Sequence, residues 1–240
     1  MKHNKTQEEI AQFNQKVRYK ISQKTNIKAY WSFFPTPKNL IEKMLEEYKT
    51  NPLPQNILEP SAGKGDIIDY INKIQSKRQA KSNIYAIEFV PELQAILKQK
   101  QNCKLLGDDF LNHNPQINYN LIIMNPPFDR GAEHVLHAWN ILKNGGKIIA
   151  LLNKHTYYNP YNSHRLKLKT IVDQYGTVEN LGRCFTSKTS ERPANVDVIM
   201  VTITKKPNTY YKDLGINLNI YSNEMIKNKQ AQYSIKEIPR

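Results

Sequence analysis

From residue 56 to residue 204, short apolar runs alternate with segments whose apolar residues recur every three to four positions. The runs at 56–58, 83–88, 104–106, 121–124 and 147–152 predict strands, the fourth of them strictly apolar. Residues 66–75, 91–99 and 132–142 carry helical spacing between them. Strands that alternate with helices in this way predict βαβ units and a parallel, doubly wound sheet. Pro37 suits the first position of a helix running to about Tyr48. After His155 the pattern predicts a polar loop rich in Tyr and Asn, a helix at 166–175, and late strands at 178–181 and 196–204. The segment 186–195 between those strands is polar and charged. Near the N-terminus, Ile10, Phe13, Val17 and Ile21 share one helix face, and Lys16, Arg18, Lys20 and Lys24 form a basic one. The expected organisation is a helical appendage over 1–28, one α/β domain over 29–206, and a basic tail over 207–240.

Charge narrows this picture. The chain has 35 Lys and Arg against 21 Asp and Glu, a formal net charge of +14. Such an excess favours a polyanionic partner, because neutralising phosphates releases counterions. The hydrophobic fraction of 39% suffices to bury a core in 240 residues. Cys103 and Cys184 are far apart and show no metal-ligand spacing, so no metal site is expected and free thiols in a reducing compartment are. With no signal-peptide core and no long apolar run, a soluble protein is expected, cytoplasmic, or nuclear in a eukaryote.

Three motifs carry chemistry. In Glu59-Pro-Ser-Ala-Gly-Lys-Gly-Asp66 a strand feeds a turn of small residues. Ser61, Ala62, Gly63 and Gly65 let a ligand approach the backbone, with N–H groups unshielded at the following helix start. The turn lacks the Lys-Ser/Thr pair of a Walker A loop. Glu88 ends the next strand, where a carboxylate can take both hydroxyls of a ribose. Asp109 and Phe110 follow the third strand; Asp109 can accept from an adenine amine or cap a helix, and Phe110 can cover a ring. Last, Leu121-Ile-Ile-Met runs straight into Asn125-Pro126-Pro127-Phe128. Two prolines make a rigid turn without N–H donors. The Asn125 side-chain oxygen and the Pro126 carbonyl could then accept both hydrogens of one amine, and Phe128 offers a face for a base to stack on. A base in a duplex reaches such a site only when flipped out.

The chain resembles the class I, Rossmann-like amino-methyltransferases that use S-adenosylmethionine, in particular the N6-adenine DNA methyltransferases. Asn125–Phe128 is similar to their Asn/Asp-Pro-Pro-aromatic loop, 59–66 to their cofactor loop, and Phe34-Pro35-Thr36-Pro37 to their early Phe-x-Thr-Pro element. The order of these motifs is that of the gamma group. The resemblance spans about residues 30–205. It implies an α/β fold with a seven-stranded, mostly parallel sheet and helices on both faces, S-adenosylmethionine as cofactor, and DNA as substrate. It further implies that Thr36 and Pro37 hold the methionine part, that Glu59, Ser61, Ala62, Gly63, Gly65 and Asp66 form the cofactor loop, that Glu88 binds the ribose, and that Asp109 and Phe110 bind the adenine.

Residues expected to face nucleic acid are Phe128, His155, Tyr158, Arg165, Lys188, Arg192 and Asn195. His134 and His137, at i and i+3 of one helix, are expected to be structural. About 35 residues follow the last strand, whereas gamma enzymes usually carry a large recognition domain there. Sequence recognition is therefore expected from residues 1–28 and 155–195, from relaxed specificity, or from a partner protein. Direct displacement needs no covalent adduct, so neither cysteine is expected to act as nucleophile. Three alternatives stay open: N6-adenine methylation of RNA, methylation of protein glutamine, and a non-catalytic nucleic-acid-binding subunit.

Overall fold

The computed structural model describes residues 34–79, 81–186 and 194–206. Helix α1 (Lys38–Met44) and a 3-10 turn (Glu46–Lys49) lead into β1 (Asn56–Glu59). Then follow α2 (Asp66–Arg78), β2 (Asn83–Ile87), α3 (Pro91–Lys100), β3 (Lys104–Gly107) and a 3-10 turn (Phe110–Asn112). The second half holds β4 (Tyr119–Met124), α4 (Gly131–Ile141), β5 (Leu142–Asn153), α5 (Lys154–Tyr158), α6 (Ser163–Tyr175), β6 (Gly176–Gly182) and β7 (Val198–Thr204).

The seven strands form one sheet in the order β3-β2-β1-β4-β5-β7-β6. All are parallel except β7, which runs antiparallel between β5 and β6. Strand β4 shows why the sheet carries helices on both faces. Leu121 and Ile123 pack with Leu40 and Ile41 of α1, Ile67 and Ile71 of α2, and Leu97 of α3. Their neighbours Ile122 and Met124 pack with Ala132, Val135 and Ala138 of α4 and with Leu168 and Val172 of α6. A strand apolar at every position is what a parallel sheet covered on both sides demands. Each fully buried Leu, Ile or Met contributes roughly 1.5–3 kcal/mol.

The helix expected from Pro37 to Tyr48 breaks into α1 and a 3-10 turn, where Glu47 pairs with Lys147 of β5. Strand β5 begins at Leu142, earlier than the apolar run suggests. Leu142 pairs with Tyr119 before the register shifts, and Gly145, at φ +81°, lies in the irregular stretch. Helix α5 stands where a loop was expected, its first turn capped by the Asn153 side chain, which accepts from the His155 N–H. The expected helix within 1–28, the tail over 207–240, and Lys188 and Arg192 lie outside the described residues. Among the described residues, no helix is long and apolar enough to cross a membrane, and no cluster of His, Cys, Asp and Glu could hold a metal ion.

Candidate active site

The carboxyl ends of β1, β2, β3 and β4 meet at one cavity of about 420 Å³. It lies where the sheet order reverses around β1, the position at which open α/β sheets bind ligands.

The turn after β1 forms the floor. The Ala62 N–H donates to the Ile87 carbonyl (3.0 Å), and the Gly65 N–H to the Ala62 carbonyl (2.8 Å). Gly63 adopts φ +56° and donates its N–H to Glu88 Oε2 at 2.6 Å. The other oxygen, Glu88 Oε1, accepts from the Val90 N–H at 2.8 Å. Glu88 thus ties the turn to the end of β2, and burial raises its pKa despite the backbone N–H groups that favour its charge. Glu59 is more deeply perturbed: burial first, then the nearby Asp66 and Glu88 charges, push it well above the ordinary carboxylate range. Its Oε2 is buried with no hydrogen-bond partner among the described residues.

Six carboxylates line the cavity, those of Glu59, Asp66, Glu88, Asp108, Asp109 and Asp129, against the cations Lys64 and Arg130. In a chain of net charge +14 this local reversal is specific to the site. It suits a ligand with cationic groups and a hydroxylated sugar, and the buried Glu59 Oε2 can accept from such a group.

The catalytic-loop candidate closes one wall. The Asn125 Nδ2 donates to the Phe34 carbonyl (2.9 Å) and to Thr36 Oγ1 (3.1 Å). A carbonyl only accepts, so the nitrogen end of the amide faces Phe34 and the oxygen occupies the other arm. Pro127 lines the cavity and Pro126 is buried behind it. The Phe128 ring stacks on Phe34 (centroids 5.7 Å) and meets Phe185 edge-on (5.9 Å).

The wall beyond β3 combines two roles. Asp109 caps the 3-10 turn, accepting from the Leu111 N–H (2.9 Å) and from Asn112 Nδ2 (2.6 Å), and it also lines the cavity. Phe110 is buried between two rings of α4, with centroids 5.6 Å from His134 and 4.8 Å from His137. The His134 Nδ1 lies 3.0 Å from the Arg130 carbonyl, and burial lowers the pKa of this imidazole.

Of the expected cofactor residues, Thr36, Glu59, Ser61, Ala62, Gly63, Asp66, Glu88, Asp109, Phe110 and Asn125 come together on the cavity. Pro37 faces a neighbouring groove with Tyr70 and Lys73, and Gly65 lies buried under the turn. Phe128 is absent from the lining. His155, Tyr158 and Arg165 are not in the cavity; they sit on α5 and α6, just beyond the end of β5. There Tyr158 and Tyr161 are 55% and 71% exposed, and the Arg165 guanidinium covers the Tyr161 ring at 4.4 Å. Asn195 is exposed, next to Ala194, whose N–H donates to the Phe185 carbonyl at 2.8 Å. The motifs do not single out Phe89, Asp108, Asp129, Arg130 and the cavity side of His134. Phe89 and Asp108 had signals, an aromatic residue directly after the ribose-binding candidate and a carboxylate directly before Asp109; Asp129, Arg130 and His134 depend on how α4 and the turn before it pack.

This fold is that of the class I S-adenosylmethionine-dependent methyltransferases. A family profile described as "Methyltransferase small domain" matches residues 38–183, and the chain belongs to that family. A curated relative, the type II methyltransferase M.CvrRI of Paramecium bursaria Chlorella virus XZ-6E, is 30% identical over 110 residues, which are 46% of this chain and 28% of that protein. Among solved structures, a class I S-adenosylmethionine-dependent methyltransferase from Listeria monocytogenes matches with a TM-score of 0.54 at 15% identity, over 71% of this chain and 59% of that one. The methyltransferase subunit of a type I restriction-modification system from Streptococcus thermophilus gives 0.56 at 14% identity, over 73% and 45%. The chain therefore spans less than two thirds of each of these three proteins.

Proposed function

We propose that this chain transfers a methyl group from S-adenosylmethionine to the N6 amine of adenine in DNA. The observation that carries this reading is the orientation of the Asn125 amide. With Nδ2 committed to Phe34 and Thr36, the side chain offers an oxygen, which suits an amine donor and not a carbonyl.

The residues present fit the cofactor. Ser61, Ala62 and Gly63 form the cradle, Glu88 stands where a ribose would be held, Asp109 and Phe110 border the adenine end, and the unpartnered Glu59 carboxyl accounts for a cationic group. When bound, S-adenosylmethionine supplies an electrophilic methyl group on a sulfonium. Asn125 Oδ1 and the Pro126 carbonyl accept from the target amine, draw its nitrogen toward tetrahedral geometry, and stabilise the positive charge that develops there. The double proline holds these acceptors rigid, so little reorganisation is needed. Phe128 presents a ring on which the extruded base stacks. The basic and aromatic surface of His155, Tyr158 and Arg165 contacts the nucleic-acid strand, and Lys188, Arg192 and Asn195 are further candidates for such contacts. Sequence recognition comes from residues 1–28 and 155–195 or from a partner protein, or else specificity is relaxed. The net charge of +14 and the curated viral relative, a type II methyltransferase, support nucleic acid as the substrate, and the Asn125–Phe128 loop, which resembles that of the N6-adenine DNA methyltransferases, favours DNA.

The test is methylation of plasmid DNA, RNA and protein in parallel with labelled S-adenosylmethionine, followed by modified-base sequencing. The expected product is N6-methyladenine in DNA. Label confined to RNA, or to glutamine in protein, overturns the substrate; no transfer to any acceptor overturns the enzyme.

A further inference from the structure

The wall of the cavity between β3 and α4 contains an acceptor that neither the motifs nor the comparisons assign. We propose that His134 is a specificity-determining residue for the cofactor, its Nε2 accepting a hydrogen bond from the exocyclic amine of the adenine moiety. The inference rests on reading the cavity as the S-adenosylmethionine site.

Three observations carry it. First, His134 lines the cavity while its residue is only 7% exposed, so it stands in the wall and not in solvent. Second, its tautomer is set by its neighbour. Nδ1 lies 3.0 Å from the Arg130 carbonyl, which only accepts, so Nδ1 carries the hydrogen. A neutral ring then has its lone pair at Nε2, and burial keeps the ring neutral. Third, the imidazole adjoins Phe110, the residue placed to cover the adenine ring, at a tilt of 37°. The Asp109 carboxylate borders the same wall, each of its oxygens accepting one hydrogen bond within the 3-10 turn that follows β3. An amine directed at this wall finds in Nε2 an acceptor with no other described partner.

The proposal predicts discrimination by one functional group. S-inosylhomocysteine differs from S-adenosylhomocysteine in carrying an oxygen in place of the amine, so it turns an acceptor toward Nε2. A site with a buried acceptor should reject it by about tenfold or more. Calorimetric titration of the wild type with both compounds reads that ratio. His134→Asn retains an amide that can donate to the Arg130 carbonyl but cannot reach the Nε2 position; its preference should collapse toward unity. His134→Gln carries its terminal oxygen near the Nε2 position and should keep most of the preference, which a purely structural histidine would not explain. A ratio near unity in the wild type, or one undiminished in His134→Asn, overturns the proposal. Binding of neither compound by the wild type removes the cofactor reading on which it rests, and the proposal with it.

Discussion

The amide of Asn125 could present either its oxygen or its nitrogen to a substrate, and two residues some ninety positions away in the chain decide which. The Phe34 carbonyl requires the nitrogen, and Thr36 Oγ1 reinforces it. Thr36→Val should leave the amide half-anchored, lowering kcat by about tenfold. Asn125→Ala removes the acceptor itself and should lower kcat by roughly 10²- to 10³-fold with cofactor affinity largely retained. Single-turnover rates beside calorimetric affinities check both; an unchanged kcat in Asn125→Ala would remove the residue from the mechanism. Glu59 supports a prediction about pH. Its raised pKa means that, just above the ordinary carboxylate range, the folded protein keeps a proton that the unfolded chain has lost. Stability of the cofactor-free protein therefore falls as pH rises through that window. Binding a cation favours the charged carboxylate, so cofactor affinity should rise with pH through the same window and binding should release a proton. Calorimetry in two buffers of different ionisation enthalpy measures that proton, and Glu59→Gln should abolish it. The identities of Asn125, Glu59 and Glu88 were legible because each ends a strand in a recognisable pattern. The aim of the Asn125 amide was not, because it depends on a long-range contact.

At the scale of elements, the turn between β1 and α2 is a constrained joint. Gly65 sits at φ +85°, and a Cβ there would come within 2.8 Å of Leu97 Cδ2 on α3. Gly65→Ala should cost about 1–2 kcal/mol, mainly in backbone strain because the leucine tip can yield. Thermal unfolding measures the loss. Cofactor affinity should fall with it, since Gly65 heads the helix that holds the turn in place; an unchanged melting temperature would show that the turn is not strained. This joint was legible from its glycines, and the central strands from their unbroken apolar runs. The element ends that differ lie where distant contacts outweigh local pattern. The split after α1 accompanies the Glu47–Lys147 pair, and the early start of β5 depends on an irregular pairing at Gly145. Helix α5 consists of five polar and aromatic residues with no apolar period to reveal it, and is marked only by its Asn153 cap. His134 lies on α4 at ordinary helical spacing, so the sequence shows a histidine but not which wall it joins.

At the scale of the whole molecule, the cavity and the chain have opposite charge balances. The chain carries +14, yet the cavity is lined by six carboxylates against two cations. The inside of the site therefore favours a cation while the net charge of the chain favours phosphate, and the two affinities should respond differently to salt. Binding of an oligonucleotide should weaken linearly on a log–log scale, by about 0.7–0.9 per phosphate neutralised. Cofactor affinity should change far less, because it involves few charges, the Glu59 and Glu88 carboxyls among them buried. The exposed rings just beyond β5 separate charge from stacking in the same experiment. Tyr158 is 55% exposed and carries no charge of its own. If a base stacks on it, Tyr158→Ala should weaken oligonucleotide binding by about 1–3 kcal/mol, roughly five- to hundredfold, while the salt slope stays as in the wild type. Fluorescence anisotropy across a salt series yields both quantities. A changed slope with little loss of affinity would mean that this surface meets the strand through its cations alone. No change in either would place the nucleic acid elsewhere on the molecule.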